Sequence, residues 1–457
     1  MEQHGPLEAQ PGIDLHEDLD QDRGYYSAVA LCREGWVEGL PGLGGTRCMF
    51  TPSTRPIEAI PALRREVVRL ARTMKDKNTL LRRVEDHLIR REPSWTGRTR
   101  LFSWNGAKSV VWIPFDPELE RACPGENLRR SLTPARLMRH GRLIQSLEGE
   151  YIGAEDMYVG RPELMWIERS TSYTIGMGCL VDTGDATATG VLAAILTAAR
   201  CSGLLGDRDS GLPAPGLAPD PDALQGLSIL ILGAGKVGLP LLKLLSDRGA
   251  RCTAYDPNLT PGRIDPFFTT VRQRGAAVGD EHRELLEQLD REGRLFADEQ
   301  QALSQPDVRI VSPNGGNTGW LTQDLPGTGS PRARFLAETK RRGRGGLSLI
   351  VGAGNSQAAG GTEARLEALE WLDSAAITFV PDALVSPGGV VSVSHEMRGR
   401  WQLEEVRADA FDIVHHGLTL AYEGAEHMRE PNSMGLYQAH QVMMQSEEMG
   451  GDWRTAV

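Results

Sequence analysis

The chain has 457 residues, 40% of them hydrophobic and 24% charged, enough for more than one packed core, so two domains are expected. Lys plus Arg number 50 against 61 Asp plus Glu, a formal net charge of -11 that argues against a polyanionic partner, whether nucleic acid or an anionic membrane. The six cysteines show no Cys-x-x-Cys pair and no zinc spacing, so they read as reduced, mostly buried thiols, and no metal site is expected.

Met1 to Arg23 is acidic and carries Pro6 and Pro11, without the basic start and apolar core of a secretory signal. No apolar run approaches the roughly 18–20 residues of a membrane-spanning helix, so a soluble cytoplasmic protein is expected. A helix patterned by Val67, Val68, Leu70 and Ala71 leads to Lys75 and Lys77, and Lys108 follows Trp104-Asn105-Gly106-Ala107. Farther on, an apolar turn at Tyr151 to Ala154 ends in Glu155-Asp156. Any one of these lysines has a solvated surface as its ordinary place.

Gly203 to Gly226 is dense in Gly, Pro and Asp and reads as a surface connection. The apolar run Leu227 to Leu232 then reads as a buried parallel strand. It enters Gly233-Ala234-Gly235-Lys236-Val237-Gly238, a helix-patterned segment follows, and a second strand over Arg251 to Tyr255 ends on Asp256-Pro257. A lone Gly-x-Gly-x-x-Gly is weak evidence, but strand, helix and acid in this order are what a dinucleotide site requires. Gly233 turns tightly, Gly235 admits the pyrophosphate to a helix N-terminus, and Gly238 lets helix and strand pack. Lys236, Val237 and Pro257 complete the expected contacts. A carboxylate at Asp256 accepts from ribose hydroxyls and repels a 2′-phosphate, favouring NAD over NADP, while Arg251 and Arg263 leave the other option open.

Glu281 to Leu303 reads as a solvated helix and loop. Strands at Val308 to Val311, Leu347 to Val351 and Ile377 to Val380 each end in small and polar residues, which sets Asn314 and Asn355 at the carboxyl edge of a parallel sheet. His415-His416 lies in a helical stretch where a solvated or capping role outweighs metal ligation. Cys48 reads as buried packing, and Met443 and Met444 as helix packing or a subunit contact.

Several of these motifs, taken in chain order from about residue 25 to 445, resemble the amino-acid dehydrogenases: the glutamate, leucine, phenylalanine and valine dehydrogenases, with leucine dehydrogenase most alike. The likeness is carried by Leu43-Gly44-Gly45-Thr46-Arg47, Arg69 to Asn78, Gly106-Ala107-Lys108, Gly141 to Gln145 with Ala154-Glu155-Asp156, Thr187 to Val191, the glycine fingerprint, and Phe379 to Asp382 with Gly388 to Val393. It implies an α/β fold of two domains with a catalytic cleft between them: a substrate-binding and oligomerisation domain over 1–184, completed by C-terminal helices over 400–457, and a doubly wound Rossmann-type NAD domain over 185–399. It further implies that Lys77 holds the substrate α-carboxylate, that Lys108 is the general acid/base, and that Asp156 relays a proton to or from the amino group. Gly44, Gly45 and Met74 would surround the substrate, Thr187 would lie near the nicotinamide, and Leu43, Val390 and Val393 would line an aliphatic pocket.

The implied reaction is NAD-dependent oxidative deamination of an L-amino acid to the 2-oxo acid and ammonia, or its reverse, by a homo-oligomer. Three departures stand out. Asn105 and Ala107 replace glycines and are expected to add side chains beside Lys108. The 79–101 segment is an insertion, read as a lid or as a reshaped pocket mouth. Ser386 stands where the family has asparagine, with shorter reach toward substrate or cofactor. They keep two alternatives open: a repurposed enzyme acting on a non-proteinogenic amino acid or imine, and a nucleotide-binding regulatory protein without turnover.

Overall fold

A computed structural model of the chain describes residues 11–51, 55–95, 101–122, 126–176, 182–205, 222–273, 276–315, 321, 331–342, 346–354, 357, 362–399 and 402–445. They fall into two compact units, Met1–Thr79 with Phe102–Gly178, and Leu80–Leu101 with Cys179–Val457.

The first unit is a mixed sheet of β1 (Ile13–Asp20), β2 (Tyr25–Cys32), β3 (Gly42–Thr51), β4 (Asn105–Pro114) and β5 (Tyr151–Ala154), in the order β1-β2-β4-β3-β5. β1, β2 and β4 pair antiparallel, while β3 runs parallel to both β4 and β5. Side chains alternate along a strand, so each face of the sheet takes every second residue. One face buries Ala28, Ala30, Val110 and Trp112 under Ile60, Leu63, Val67 and Ala71 of helix α1 (Pro56–Arg91). The small helices α2 (Pro117–Ala122) and α3 (Glu126–Ser131) follow β4. The other face buries Val29, Leu31, Ala107 and Ile113 under Leu137 and Ile144 of α4 (Pro134–Gln145) and Leu164 and Ile167 of α5 (Arg161–Glu168).

The second unit opens with α6 (Thr183–Cys201), apolar on nearly every side and correspondingly buried. Its sheet holds β6 (Ser228–Leu232), β7 (Arg251–Tyr255), β8 (Leu295–Phe296), β9 (Ile310–Pro313), β10 (Leu349–Ile350) and β11 (Thr378–Phe379), all parallel, ordered β8-β7-β6-β9-β10-β11. That is the doubly wound order, and the chain reverses direction between β6 and β9, where such folds bind ligands. Helices α7 (Gly238–Ser246), α8 (Ile264–Gln273), α9 (Asp280–Arg291), α10 (Glu299–Leu303), α11 (Pro331–Arg342) and α12 (Thr362–Ser374) connect the strands. α13 (Asp382–Val385), α14 (Gly388–Met397), α15 (Leu403–His427) and α16 (Ser433–Gln445) end the described chain.

The grouping departs from the expected domains in two places. The C-terminal helices, expected to complete the first domain, group with the second unit, because α15 lays its apolar stripe along α6. Arg407 grips Asp185 through two 2.7 Å bonds, and the imidazole of His415 shares a 2.8 Å hydrogen bond with Thr197. His415 is therefore buried between helices, in neither the solvated nor the capping role expected. The 79–101 insertion also groups with the second unit. Its first half continues α1, and Leu81, Val84, Leu88 and Trp95 are all buried, with Val84 against Gly417. Most of Gly203–Gly226 lies outside the described residues.

Candidate active site

Lys108 projects from β4 on the face covered by α1, and Asp156 follows the end of β5, with β3 between them. Asp156 sits in a tight turn closed by hydrogen bonds from its own N–H to Val159 O (3.1 Å) and from Val159 N–H back to it (2.9 Å). The turn holds Tyr158 at φ 63°, a conformation that costs a side-chain-bearing residue energy.

What lets the two side chains meet is the glycine pair on β3. A Cβ on Gly44 would lie 1.8 Å from the Ala107 carbonyl oxygen, and one on Gly45 would lie 2.5 Å from Glu155 O and 2.6 Å from Asp156 Cβ. The β3–β4 ladder is interrupted at these two residues, between the pairs Leu43–Gly106 and Thr46–Ser109. Across this narrow strand the Lys108 ammonium ion-pairs with Asp156 Oδ2. Gly106 works the same way: a Cβ there would lie 2.2 Å from Lys75 Cα, so β4 and α1 touch backbone to backbone. Two residues on from that contact, Lys77 is buried. Asn78 then clamps the strands, donating to Asn105 O (2.8 Å) and Leu43 O (3.4 Å). Leu43 is buried and Met74 half-buried in this unit.

A third charge completes the pair. Arg47, on the same face of β3 as Gly45, donates from Nε to Asp156 Oδ2 (2.9 Å) and from Nη2 to Oδ1 (3.3 Å). Side-chain exposure is 6% for Arg47, 5% for Lys108 and 16% for Asp156, so water screens these charges little. Burial alone would raise the Asp156 carboxyl, but Arg47 and Lys108 together hold it below the ordinary carboxylate range. Burial presses the Lys108 ammonium below its usual value, and the positive charges of Arg47 and Arg69 add to that against the pull of Asp156. A buried lysine so lowered is a candidate general base.

The departures look different in three dimensions. Asn105 and Ala107 have the opposite parity to Lys108 along β4, so their side chains leave the sheet on the α4 face and add nothing beside the ammonium. Ala107 joins the core with Ile113 and Tyr151. Asn105 ties down the preceding loop, donating to Val37 O and Leu40 O and accepting from Val37 N. Lys75 pairs with Glu34 and Asp76, and Cys48 is buried, with its thiol pushed up by burial.

In the second unit the glycine loop leaves β6 at the point where the sheet order reverses. Gly233 has φ +97° and its α-carbon faces Gly315 N, where a Cβ would lie 2.8 Å away. A Cβ on Gly238 would strike Gly233 O at 1.9 Å, whereas one on Gly235 would meet nothing within 4 Å. The loop thus leaves open space beside the N-terminus of α7, which fits an approaching pyrophosphate. Asp256, at the carboxyl end of β7, accepts from Ala234 N (3.1 Å) and from Asn258 N and Nδ2 (2.9 and 3.0 Å), which binds the acid to the loop. Lys236 is paired at 2.8 Å with Asp182, the residue that caps α6, and Val237 holds the N-cap position of α7 without a side-chain hydrogen bond. Pro257 is exposed.

Asn314 bridges two strand ends, donating to Ser312 and accepting from Ala353 N at 3.1 Å. Thr187 bonds Thr183 O within α6, and a Cβ on Gly388 would collide with Ala186 O, so α14 starts directly against α6. Ser386 spends its hydroxyl on Asp382 O at 2.8 Å. Val390 and Val393 are buried in this unit. Asn355 lies outside the described residues. Among the described residues no group of three or more His, Cys, Asp or Glu side chains is arranged to hold a metal ion, and no helix is long and apolar enough to cross a membrane.

The sequence reading missed Arg47 as a site residue and Asp182 as the partner of Lys236. Strand parity counted from Gly45 carried the signal for Arg47; a contact made by folding carried none for Asp182.

The chain is 25% identical to a valine dehydrogenase of Streptomyces virginiae over 421 aligned residues, which cover 89% of this chain and 90% of that protein. No protein-family model matches it. Among solved structures it is similar to the L-tryptophan dehydrogenase of Nostoc punctiforme, with a TM-score of 0.55 at 19% identity, covering 92% of each chain. It is also similar to the glutamate dehydrogenase of Plasmodium falciparum, with a TM-score of 0.56 at 15% identity, covering 94% of this chain and 80% of that one. Alike along nine-tenths of its length to the first and sharing its fold with the other two, the chain resembles the amino-acid dehydrogenases.

Proposed function

We propose that the protein is an NAD-dependent amino-acid dehydrogenase that oxidatively deaminates an aliphatic L-amino acid, or runs the reverse reductive amination. The observation that carries this reading is the buried Lys108–Asp156 pair brought together across Gly44 and Gly45. The open loop at Gly235, with Asp256 beside it, supports a dinucleotide, and a carboxylate at that place favours NAD over NADP.

When bound, NAD accepts the hydride of the substrate α-carbon. In its unprotonated form Lys108 takes a proton from the water that adds to the resulting iminium, passes it by way of Asp156 to the amino group, and then takes the carbinolamine hydroxyl proton as ammonia leaves and the carbonyl forms. Asp156 exchanges a proton with the departing amino group. A carboxylate held so strongly ionised keeps a proton only transiently, which suits a relay. Lys77 holds the substrate α-carboxylate, and the two cations Lys108 and Arg47 on the single carboxylate of Asp156 suit an anionic 2-oxo acid. The resemblance assigns Leu43, Val390 and Val393 to the substrate side chain, Gly44, Gly45 and Met74 to the rest of the substrate, and Thr187 to the nicotinamide. The second reading, a repurposed enzyme for a non-proteinogenic amino acid or imine, loses Asn105 and Ala107 as its motive and keeps Ser386, whose hydroxyl is turned inward.

The test is reduced-nicotinamide absorbance from purified protein with NAD or NADP and a panel of L-amino acids, beside a Lys108→Ala variant. Turnover of leucine or valine with NAD that disappears in the variant is expected. Cofactor binding without turnover of any amino acid, or of any 2-oxo acid with ammonia, would overturn the proposal.

A further inference from the structure

The acid/base site is built from three charged side chains, and the reaction as derived uses two. Arg47 is as deeply buried as Lys108, and it takes both oxygens of Asp156 while Lys108 takes one. A planar guanidinium fork fixes a carboxylate in orientation, which a point-charge ammonium does not. The ladder explains why Arg47 reaches: β3 pairs with β5 through Gly45–Ala154, and Arg47 follows Gly45 on the same face. Resting on the dehydrogenase reading, we infer that Arg47 is a positioning residue: it anchors Asp156 as an ionised carboxylate and, by sharing it, denies Lys108 an ion partner of its own and so keeps the lysine nitrogen available as a base.

The physical argument is one of division. A buried lysine alone with a carboxylate forms a one-to-one pair that locks the proton on nitrogen. With Arg47 present the same carboxylate serves two cations, which also repel each other. The other groups acting here do not replace it. On α1, Arg69 presses on Lys108 and Glu66 acts on Arg47, but these two bond each other at 2.5 and 2.7 Å and largely cancel. Tyr158 of the turn also acts on Arg47, while Tyr151 and Cys48 beside Asp156 are held neutral by burial.

Two variants test the inference. R47M removes the charge yet leaves a balanced Lys108–Asp156 pair, so the fold should survive, as a thermal melt would check. R47K keeps the charge and gives up the fork. The first readout is the pH profile of kcat/KM for amino-acid oxidation. The second, which needs no turnover, is the pH dependence of Lys108 modification by a small amine-reactive reagent, followed by peptide mass spectrometry. In R47M both midpoints should move to higher pH by about one unit, so that activity at a fixed pH on the rising limb falls about tenfold. R47K should hold the midpoint near wild type while kcat falls. An unmoved labelling midpoint in R47M, or a R47K enzyme equal to wild type in kcat, would overturn the inference. A shifted labelling midpoint in a protein that turns over no amino acid would sustain the electrostatic role of Arg47 and sink the dehydrogenase reading instead.

Discussion

Gly45→Ala isolates the steric device on which the site rests. The added methyl would lie 2.5 Å from Glu155 O and 2.6 Å from Asp156 Cβ, where ordinary contact begins at 3.4 Å, so the turn carrying Asp156 has to retreat by about 0.9 Å. That turn is hydrogen-bonded to itself and to Cys48 N, and cannot give way without carrying the carboxylate off Arg47 and Lys108. Overpacking of this kind costs about 1–3 kcal/mol, a fall in Tm of roughly 2–10 °C for a unit of this size. Misplacing a reacting group by about 1 Å costs about a hundredfold in rate. The expected result is therefore a folded protein with a modestly lower Tm, nearly unchanged cofactor affinity and kcat down about a hundredfold. Initial rates of amino-acid oxidation beside a thermal melt measure both. A kcat within about threefold of wild type, some 0.6 kcal/mol in barrier, would refute the claim that the missing Cβ is what lets the pair form.

The nucleotide loop gives a paired prediction. Gly238→Ala should lower Tm because its methyl meets Gly233 O at 1.9 Å, whereas Gly235→Ala should leave Tm unchanged and weaken NAD binding, read by titration of the purified variants; equal losses of Tm in both would contradict it. Burial holds the His415 imidazole down at about 4, with help from the neighbouring His416 and Arg200. Its contribution to stability is thus complete above the ordinary histidine value of about 6.5 and is lost as pH falls toward 4, at up to about 1.4 kcal/mol per unit. Melts across that window should fall less steeply in His415→Gln, and parallel curves would show that another group governs the acid limb.

Local pattern was enough to determine the nucleotide half. The apolar run before Gly233, the glycine spacing and the acid after the next strand each carry their meaning within some thirty residues, and β6, α7 and β7 lie where the pattern puts them. β8 was not legible: it is two residues long and embedded in the polar, helix-patterned Glu281–Leu303, where no period of 2 has room to show. The identities of Lys108 and Asp156 were legible through short motifs, and their surroundings were not. A sequence gives strand parity only once the strand is known, so Asn105 and Ala107 looked like neighbours of Lys108 although alternation sends them to the opposite face.

Tertiary structure alone decided the rest. β3 stands between β4 and β5 in space though it precedes both in sequence, and that order makes Gly44 and Gly45 the gap through which Lys108 meets Asp156, and sets Arg47 on the same carboxylate. It also decided that the 79–101 segment is half helix with a buried apolar side, and that the last helices group with α6. Amphipathic helices announce that they will be buried and not against what. The choice is made by which apolar stripe offers matching small residues, here Gly190 on α6 beneath Val414 and Gly417 on α15 beneath Val84.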